Sequence, residues 1–547
     1  MSSSITLDGR SLSIADVIAV ARRRASVEIA PAALAGLAAS RQAVETALAR
    51  GDTIYGVTTG FGKLAHVRIP ADQLGRLQRN LVRSHASGVG DPLAVDAVRA
   101  MMLLRANVLL LGTSGVRPAL PVLIATMLNR GIHPVVPSQG SVGASGDLAP
   151  LSHLALAMIG EGEDGAKLRA AGLQPVTLEA KEGLAFVNGT QAQTGLAALL
   201  VHDSWVLWRA AHAAAAMSLE AVRGTPAPFD PRIHEARPHP FQQRSAALLT
   251  RLLAGSAIRE SHREHDPRVQ DAYSLRCTPQ ILGAVGEAIA FAERLVTTEL
   301  NAATDNPLVF GDEVLSGGNF HGQPIALALD VLGIALTTLA AFAERLVTTE
   351  LNAATDNPLV FGDEVLSGGN FHGQPIALAL DVLGIALTTL AGLAERRLER
   401  VVNPDLSSGL PAFLSKNPGL ESGFMSAQIS AAALVADCRV LATPASVQSV
   451  PTEGNQEDVV PMGMSAAWKA ERILANAARI VAIELLAGAQ GLEFLKPLAP
   501  GRGVGRSYAA LRREAPALEE DRPLSAEIER VAAGVRAGRF DPEDREP

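Results

Sequence analysis

The sequence predicts a mainly α-helical protein, and three observations carry that prediction. Apolar residues make up 48% of the 547-residue chain and are dominated by alanine and leucine, while aromatics are only 4%. Alanine and leucine are strong helix formers, whereas strands favour β-branched and aromatic residues. Long segments also repeat their apolar residues at helical spacing, with Gly- and Pro-rich loops between them. This length gives room for several domains or one large multi-lobed subunit.

Residues 1–204 read as an N-terminal lobe of short helices and punctuating loops. Asp91-Pro92 suggests an N-cap followed by proline at the first helical position. Val95, Val98, Met102 and Leu109 then recur at helical spacing, and Gly112 can close the helix. Between Gly131 and Pro150 the pattern breaks into a stretch too rich in Gly, Pro and Ser for a regular element. Residues 205–465 read as a central bundle of long, alanine-rich helices. In it Met425, Ile429, Ala432 and Ala436 suggest one apolar stripe, ended near Pro444. A further helix from about Ala467 carries Ile473, Ala477 and Ile480 on one face. Residues 466–547 read as a C-terminal helical layer, charged over its last forty residues.

Composition excludes several functions. Net charge is −8 with no basic stripe, which argues against a nucleic-acid partner. Cys277 and Cys438 are far apart and lack metal-ligand spacing, so the expectation is a reduced, cytoplasmic protein with no metal. The N-terminus lacks a basic region followed by an apolar run, and no stretch of about 18 uninterrupted apolar residues occurs; neither a signal peptide nor a membrane span is expected.

One feature is unusual. Residues 290–340 and 341–391 are identical, a tandem copy of 51 residues. Two copies are too few for a solenoid, and perfect identity argues against an old structural repeat. Similar AFAER and AGLAER strings at the borders fit misaligned recombination or an error in the sequence record. The expectation is that one copy occupies the bundle position. Unless it packs elsewhere, the displaced one would expose the apolar face of its ALALDVLGIALTTLA helix, and large exposed patches favour aggregation.

The strongest chemical signal runs from Gly140 to Leu151, GSVGASGDLAPL. Backbone cyclisation needs the Gly146 nitrogen to reach the Ala144 carbonyl, so neither residue can carry bulk, and glycine tolerates the dihedrals of such a turn. Ser145 supplies a hydroxyl that can leave as water. Two dehydrations of Ala144-Ser145-Gly146 would give a 4-methylideneimidazol-5-one ring, an electrophile that unmodified side chains do not provide. Asp147 could move protons during closure.

This twelve-residue string resembles the signature of the aromatic amino acid lyase family, which includes histidine, phenylalanine and tyrosine ammonia-lyases. The resemblance extends along nearly the whole chain. Tyr55-Gly56-Val57-Thr58-Thr59-Gly60-Phe61-Gly62 is similar to the family's mobile loop, and Tyr55 is thereby implied as the base that removes the β-proton. Tyrosine is a weak base at its usual pKa of ~10, so such a site must favour the phenolate. Phe186 to Gln191 resembles the segment whose asparagine, here Asn188, binds substrate. Gln270-Asp271-Ala272-Tyr273-Ser274-Leu275-Arg276 resembles a segment in which Gln270 and Tyr273 line the site and Arg276 pairs with the substrate carboxylate. Gly317-Gly318-Asn319-Phe320-His321-Gly322 resembles the segment that sets an aromatic ring beside the electrophile, and the duplication repeats it with Phe371.

Two positions speak to substrate. Ser84-His85 resembles the pair found in histidine lyases, and Asn455-Gln456-Glu457 resembles their Asn-Gln-Glu segment. A carboxylate at Glu457 can accept a hydrogen bond from an imidazole N–H and exchange a proton with it; beside a phenyl ring it would be desolvated without gain. Thr58 and the run Val459-Val460-Pro461-Met462 lean instead towards the phenylalanine and tyrosine enzymes. The resemblance thus implies a histidine ammonia-lyase, converting L-histidine to trans-urocanate and ammonia. A tyrosine or phenylalanine ammonia-lyase, or a 2,3-aminomutase, is the alternative on the same scaffold; a non-catalytic helical assembly protein is a rival of another class. Also implied are a fumarase/aspartase-like long-helix bundle, a self-made ring with no diffusible cofactor, and a homotetramer with active sites shared between subunits.

Overall fold

The computed structural model describes all residues except 1–3, 222–223, 261–263, 265–268, 272, 339–358, 362–363, 367–369, 371, 408, 452–458, 498–501, 538 and 541–547. The protein is mainly α-helical, with only short two-stranded pairings among the described residues. Its residues form two compact units. One contains residues 1–211 and 288–333, the other 212–287 and 334–547.

The first unit begins with Ile5–Leu7, paired in parallel with Val27–Ile29. Ser13 and Asp16 form a capping box at the start of Ile14–Ala21. Pro31 opens the helix Pro31–Arg50, which Gly51 closes in the left-handed region. The helix Val95–Leu109 forms as its spacing suggests, and all of its residues from Ala97 to Leu109 are buried. Its start differs from the expectation. Asp91 and Pro92 belong to the strand Val89–Pro92, antiparallel to Pro137–Gln139, and the helix begins at Val95 with no side-chain cap. Proline at a strand end forfeits no ladder bond that matters, so the same dipeptide suits either role. Pro137–Gln139 is correspondingly a short strand inside the Gly/Pro/Ser-rich stretch. Leu148–Met158 follows the Ala-Ser-Gly turn, and Glu182–Val187 ends at Asn188.

The second unit is dominated by three long helices, Gln374–Val402, Met425–Leu441 and Gly463–Glu493. Ala391, Ala394, Leu398, Ala431, Val435, Ile473, Ala477, Ile480 and Ile483 share their core. Gly463–Glu493 is long and apolar enough to cross a bilayer, yet Ile473, Ile480, Ile483 and Leu486 are buried against the other helices. The face of Met425–Leu441 departs from the expected stripe. Ala427, Ala431, Val435 and Cys438 are buried, while Ile429 is 61% exposed and Ala436 faces solvent. Alanines surround this helix on all sides, so small residues mark both faces and composition alone does not orient it.

The two copies of the duplicated segment take the same local form. Leu308–Phe310 pairs with Glu313–Leu315 in the first, and Leu359–Phe361 pairs with Glu364–Leu366 in identical register in the second. A helix follows each, Gln323–Thr338 and Gln374–Val402. The expected exposed apolar helix is not found over 323–332, where Ile325, Ala328, Val331 and Leu332 are buried. In the second copy Ala377, Leu378, Ala379 and Val382 are buried. One amphipathic sequence has thus buried its face in each unit.

Candidate active site

The first unit holds a cavity of about 370 Å³ that gathers Tyr55, His85, Ser145, Asn188 and Phe320. Phe61, Leu81, Leu148, Leu184 and Val187 supply apolar wall, and Asn306, Ser316 and Gly317 a polar edge. This size suits a small-molecule ligand.

The Ala-Ser-Gly turn is folded back on itself, with isolated bridges from Gly143 and Ala144 to Gly146. Gly146 has φ +71°, and a Cβ there would lie 2.3 Å from the Gly189 carbonyl oxygen, so no side chain fits. Asn188 Nδ2 donates to the Ser145 carbonyl at 2.8 Å, and the Asp147 N–H donates to the Gly189 carbonyl at 2.7 Å. Burial pushes the Asp147 carboxyl above the usual range, while the Gln193 N–H and the Ser141 hydroxyl oppose that rise by donating to it. A tight turn without side-chain bulk at Gly146, beside a buried carboxyl that retains its proton more readily, fits the formation of a ring from these three residues. The side-chain oxygen of Asn188, a residue that lines the cavity, is buried with no hydrogen-bond partner among the described residues.

Tyr55 sits in a turn held by backbone bonds from Val57 and Thr58 to Ile54. The Gly62 N–H donates to Tyr55 Oη at 3.0 Å, at the oxygen that must carry negative charge if tyrosine acts as a base. Phe61 meets the Tyr55 ring edge-on, with centroids 6.5 Å apart. His85 ends the helix Leu74–His85. Its Nδ1 lies 2.9 Å from the Leu81 carbonyl and 3.0 Å from the Ser84 hydroxyl; in the tautomer that donates from Nδ1 to that carbonyl, Nε2 is an acceptor.

Gln270, Tyr273 and Arg276 belong to the second unit. Arg276 is buried and stacks over the Tyr273 ring at 4.7 Å. Glu457 and Phe371 lie outside the described residues. Among the described residues no cluster of three or more His, Cys, Asp or Glu has metal-binding geometry. A larger open groove of about 930 Å³ in the second unit contains none of the expected site residues.

Several residues that shape the cavity carried no recognisable motif. Gln78 is fully buried and bridges two segments: its Nε2 donates to the Gly56 carbonyl, and its Oε1 accepts from the Leu184 N–H, both at 2.9 Å. It thereby ties the Tyr55 turn to the helix that ends at Asn188. Gln78→Leu leaves two buried backbone groups unpaired, each at a cost of about 1–3 kcal/mol. The expected outcome is a lower melting temperature together with slower turnover; an unchanged melt would sink this account. Behind the wall, Lys181 and Asp305 form a fully buried ion pair at 2.6 Å. Burial pushes the Lys181 ammonium below the usual lysine range, and Asp305 opposes that shift. Arg105, also buried, donates to Gln191 and to the Ala185 carbonyl. Its guanidinium is lowered by burial to about 10, which leaves it charged at neutral pH.

A mainly helical protein thus sets a tight Ala-Ser-Gly turn, a tyrosine and an asparagine around one small cavity. The family model for aromatic amino acid lyases matches residues 12–347 and 340–513, and its two matches meet where the duplicated copies join. The chain belongs to the aromatic amino acid lyase family and is an ammonia-lyase. A histidine ammonia-lyase of Koribacter versatilis is 48% identical over 546 residues, covering 98% of each chain. The crystal structure of histidine ammonia-lyase from Trypanosoma cruzi is similar with a TM-score of 0.56 and 38% identity, covering 98% of this chain and 94% of that one. Tyrosine aminomutase from Streptomyces globisporus is similar with a TM-score of 0.54 and 37% identity, covering 98% of both chains.

Proposed function

We propose that this chain deaminates L-histidine to trans-urocanate and ammonia, using a 4-methylideneimidazol-5-one ring made from Ala144, Ser145 and Gly146. The carrying observation is the convergence of Tyr55, His85, Ser145 and Asn188 on one small cavity. The full-length likeness to histidine ammonia-lyases supports the choice of substrate. The ring supplies an electrophilic carbon that turns the substrate amine into a better leaving group. Tyr55 removes the β-proton, with the Gly62 N–H on its oxygen. Asn188 and Arg276 hold the carboxylate, Arg276 through its planar fork. Gln270 and Tyr273 position the amine and ring. His85, with Nδ1 donating to the Leu81 carbonyl, receives an imidazole N–H at Nε2, and Glu457 takes the other side of the substrate ring.

The test is turnover of histidine, tyrosine and phenylalanine by the purified protein, read by urocanate, coumarate and cinnamate absorbance. Histidine is expected to dominate. Glu457→Gln is expected to slow histidine most, because a hydrogen bond to a charged group contributes roughly 1.5–3 kcal/mol and proton transfer adds to the loss. Tyrosine turned over as fast as histidine, or a β-amino acid product, would overturn the assignment.

The working form we propose is a cytoplasmic homotetramer in which neighbouring copies share active sites. Exposed apolar residues of the second unit support an oligomer: Ile429 and Val440 are 61% and 73% exposed, and Met464 and Trp468 are 63% and 59%. Light scattering on the purified protein is expected to give four chains; a monomer retaining full turnover contradicts this.

A further inference from the structure

We propose that the two identical segments have divided the work of one: in the first copy Asn306 and the turn 316–322 form a wall of the reaction cavity, and in the second Asn370, His372 and the helix from Gln374 are framework of the second unit. The inference rests on reading the first unit's cavity as the reaction site. Its basis is that the Asn and His of the same tetrapeptide, Asn-Phe-His-Gly, stand in two different environments.

In the first copy the tetrapeptide is a surface turn applied to the cavity. Asn319 and His321 are exposed. Asn319 makes a bond to the neighbouring Ala303 carbonyl at 3.0 Å. Phe320 lines the cavity with Tyr55 and Ser145. The Gly322 N–H donates to the Gly143 carbonyl at 2.9 Å, one residue before Ala144. A Cβ at Gly322 would fall 2.1 Å from Gln193 Nε2, and the Gln193 backbone N–H in turn holds Asp147. The first copy is therefore fastened directly to the turn that makes the electrophile.

In the second copy the equivalent asparagine and histidine are interior. Asn370 and His372 are 0% and 3% exposed. Asn370 Nδ2 donates to the Ile233 carbonyl at 2.6 Å, while its Oδ1 accepts from Gln280 Nε2 at 2.8 Å and Gln242 Nε2 at 3.2 Å. His372 Nδ1 accepts from the Gln374 N–H, so its Nε2 donates to the Val459 carbonyl at 3.0 Å. Arg237 donates to the His372 carbonyl at 3.1 Å. A Cβ at Gly373 would meet only Pro461, at an ordinary 3.6 Å. Asn370 thus joins three segments of the second unit through a buried amide, and its loss would take one bond from Gln242 Nε2, which also meets His234 Nδ1 at 3.0 Å, and one from Gln280 Nε2.

Because the copies are identical, matched substitutions in the full chain isolate environment from sequence. Phe320→Ala is expected to lower kcat/KM for histidine by roughly tenfold or more, since a displaced wall misplaces the reacting atoms. Asn370→Ala is expected to lower the melting temperature by several degrees, and Asn319→Ala to leave it unmoved; an insoluble Asn370→Ala beside a soluble Asn319→Ala counts the same way. Full turnover by Phe320→Ala, or equal melting shifts in the two asparagine variants, overturns the division. If the unmodified protein turns over none of the aromatic amino acids, the reaction assignment fails while the asparagine pair still decides the division.

Discussion

Ser145→Ala is expected to give a folded protein with no measurable lyase turnover. The Asn188 side chain binds the Ser145 backbone carbonyl, not its hydroxyl, so the substitution leaves that contact in place. Gly146 remains seated against Gly189, and Asp147 keeps its bonds to Ser141 and Gln193. What disappears is the hydroxyl that would leave as water to create the methylidene. Enzymic acceleration typically begins at about 10⁶-fold, and a site that has lost its electrophile is expected to forfeit at least about 10³-fold of it. Intact mass makes the test independent of the assay. The unmodified protein is expected to weigh less than its sequence by two waters, whereas the variant is expected to lack the methylidene and weigh more than that doubly dehydrated form, corrected for the substituted residue. A Ser145→Ala protein that melts normally and turns over histidine at the original rate removes the ring from the mechanism.

The parts of the site that were legible in the sequence are those whose chemistry is written in consecutive residues. Ala144-Ser145-Gly146 is such a string, because cyclisation is a reaction between neighbours. Tyr55, His85 and Asn188 also sit in short recognisable segments, and the structure brings all three to the cavity that Ser145 lines. Gln78 was not legible. Its function depends on Gly56 and Leu184, which lie 22 and 106 residues away, and a lone glutamine in an amphipathic helix has no signature. Asn306 and the Lys181–Asp305 pair were invisible for the same reason, since 124 residues separate the two charges. A buried lysine is rare enough to mean something once burial is known, but sequence alone does not reveal burial.

The fold divides in the same way. Helical class follows from composition, and the Ile473, Ala477, Ile480 face is strongly enough apolar to be oriented correctly. Met425–Leu441 has alanine on every side, so its buried face is set by the helices it meets rather than by its own pattern. The duplicated helix shows the limit most directly. Its sequence is the same in both copies, yet each buries its apolar face in a different unit, so the outcome belongs to the surroundings and not to the segment.

The second large effect is expected at Lys181 and Asp305. Both side chains are completely buried, and Lys181 Nζ donates to Asp305 Oδ2. Asp305 Oδ1 accepts from the Asn306 N–H at 2.6 Å, and Asn306 Oδ1 accepts from the Gly317 N–H at 2.7 Å, at the polar edge of the cavity. Lys181 itself is the residue before the helix Glu182–Val187, which ends at Asn188. The pair therefore links two walls of one cavity. Lys181→Met removes the charge while keeping most of the volume, and leaves a buried carboxylate without its ion partner; breaking such a pair costs about 3–5 kcal/mol. Asp305→Asn leaves the opposite charge stranded and is expected to cost a similar amount. Lys181→Met/Asp305→Asn removes both charges and is expected to melt higher than the sum of the single losses allows. Stability and function should then separate. The double variant is expected to regain melting temperature while kcat stays depressed and KM rises, because the neutral pair no longer fixes Asn306 and the Glu182–Val187 helix as one body. Thermal melts and steady-state kinetics on the three variants check this. Strict additivity in the melts would show that the two charges do not act on each other, and full recovery of kcat in the double variant would reduce the pair to a purely structural element.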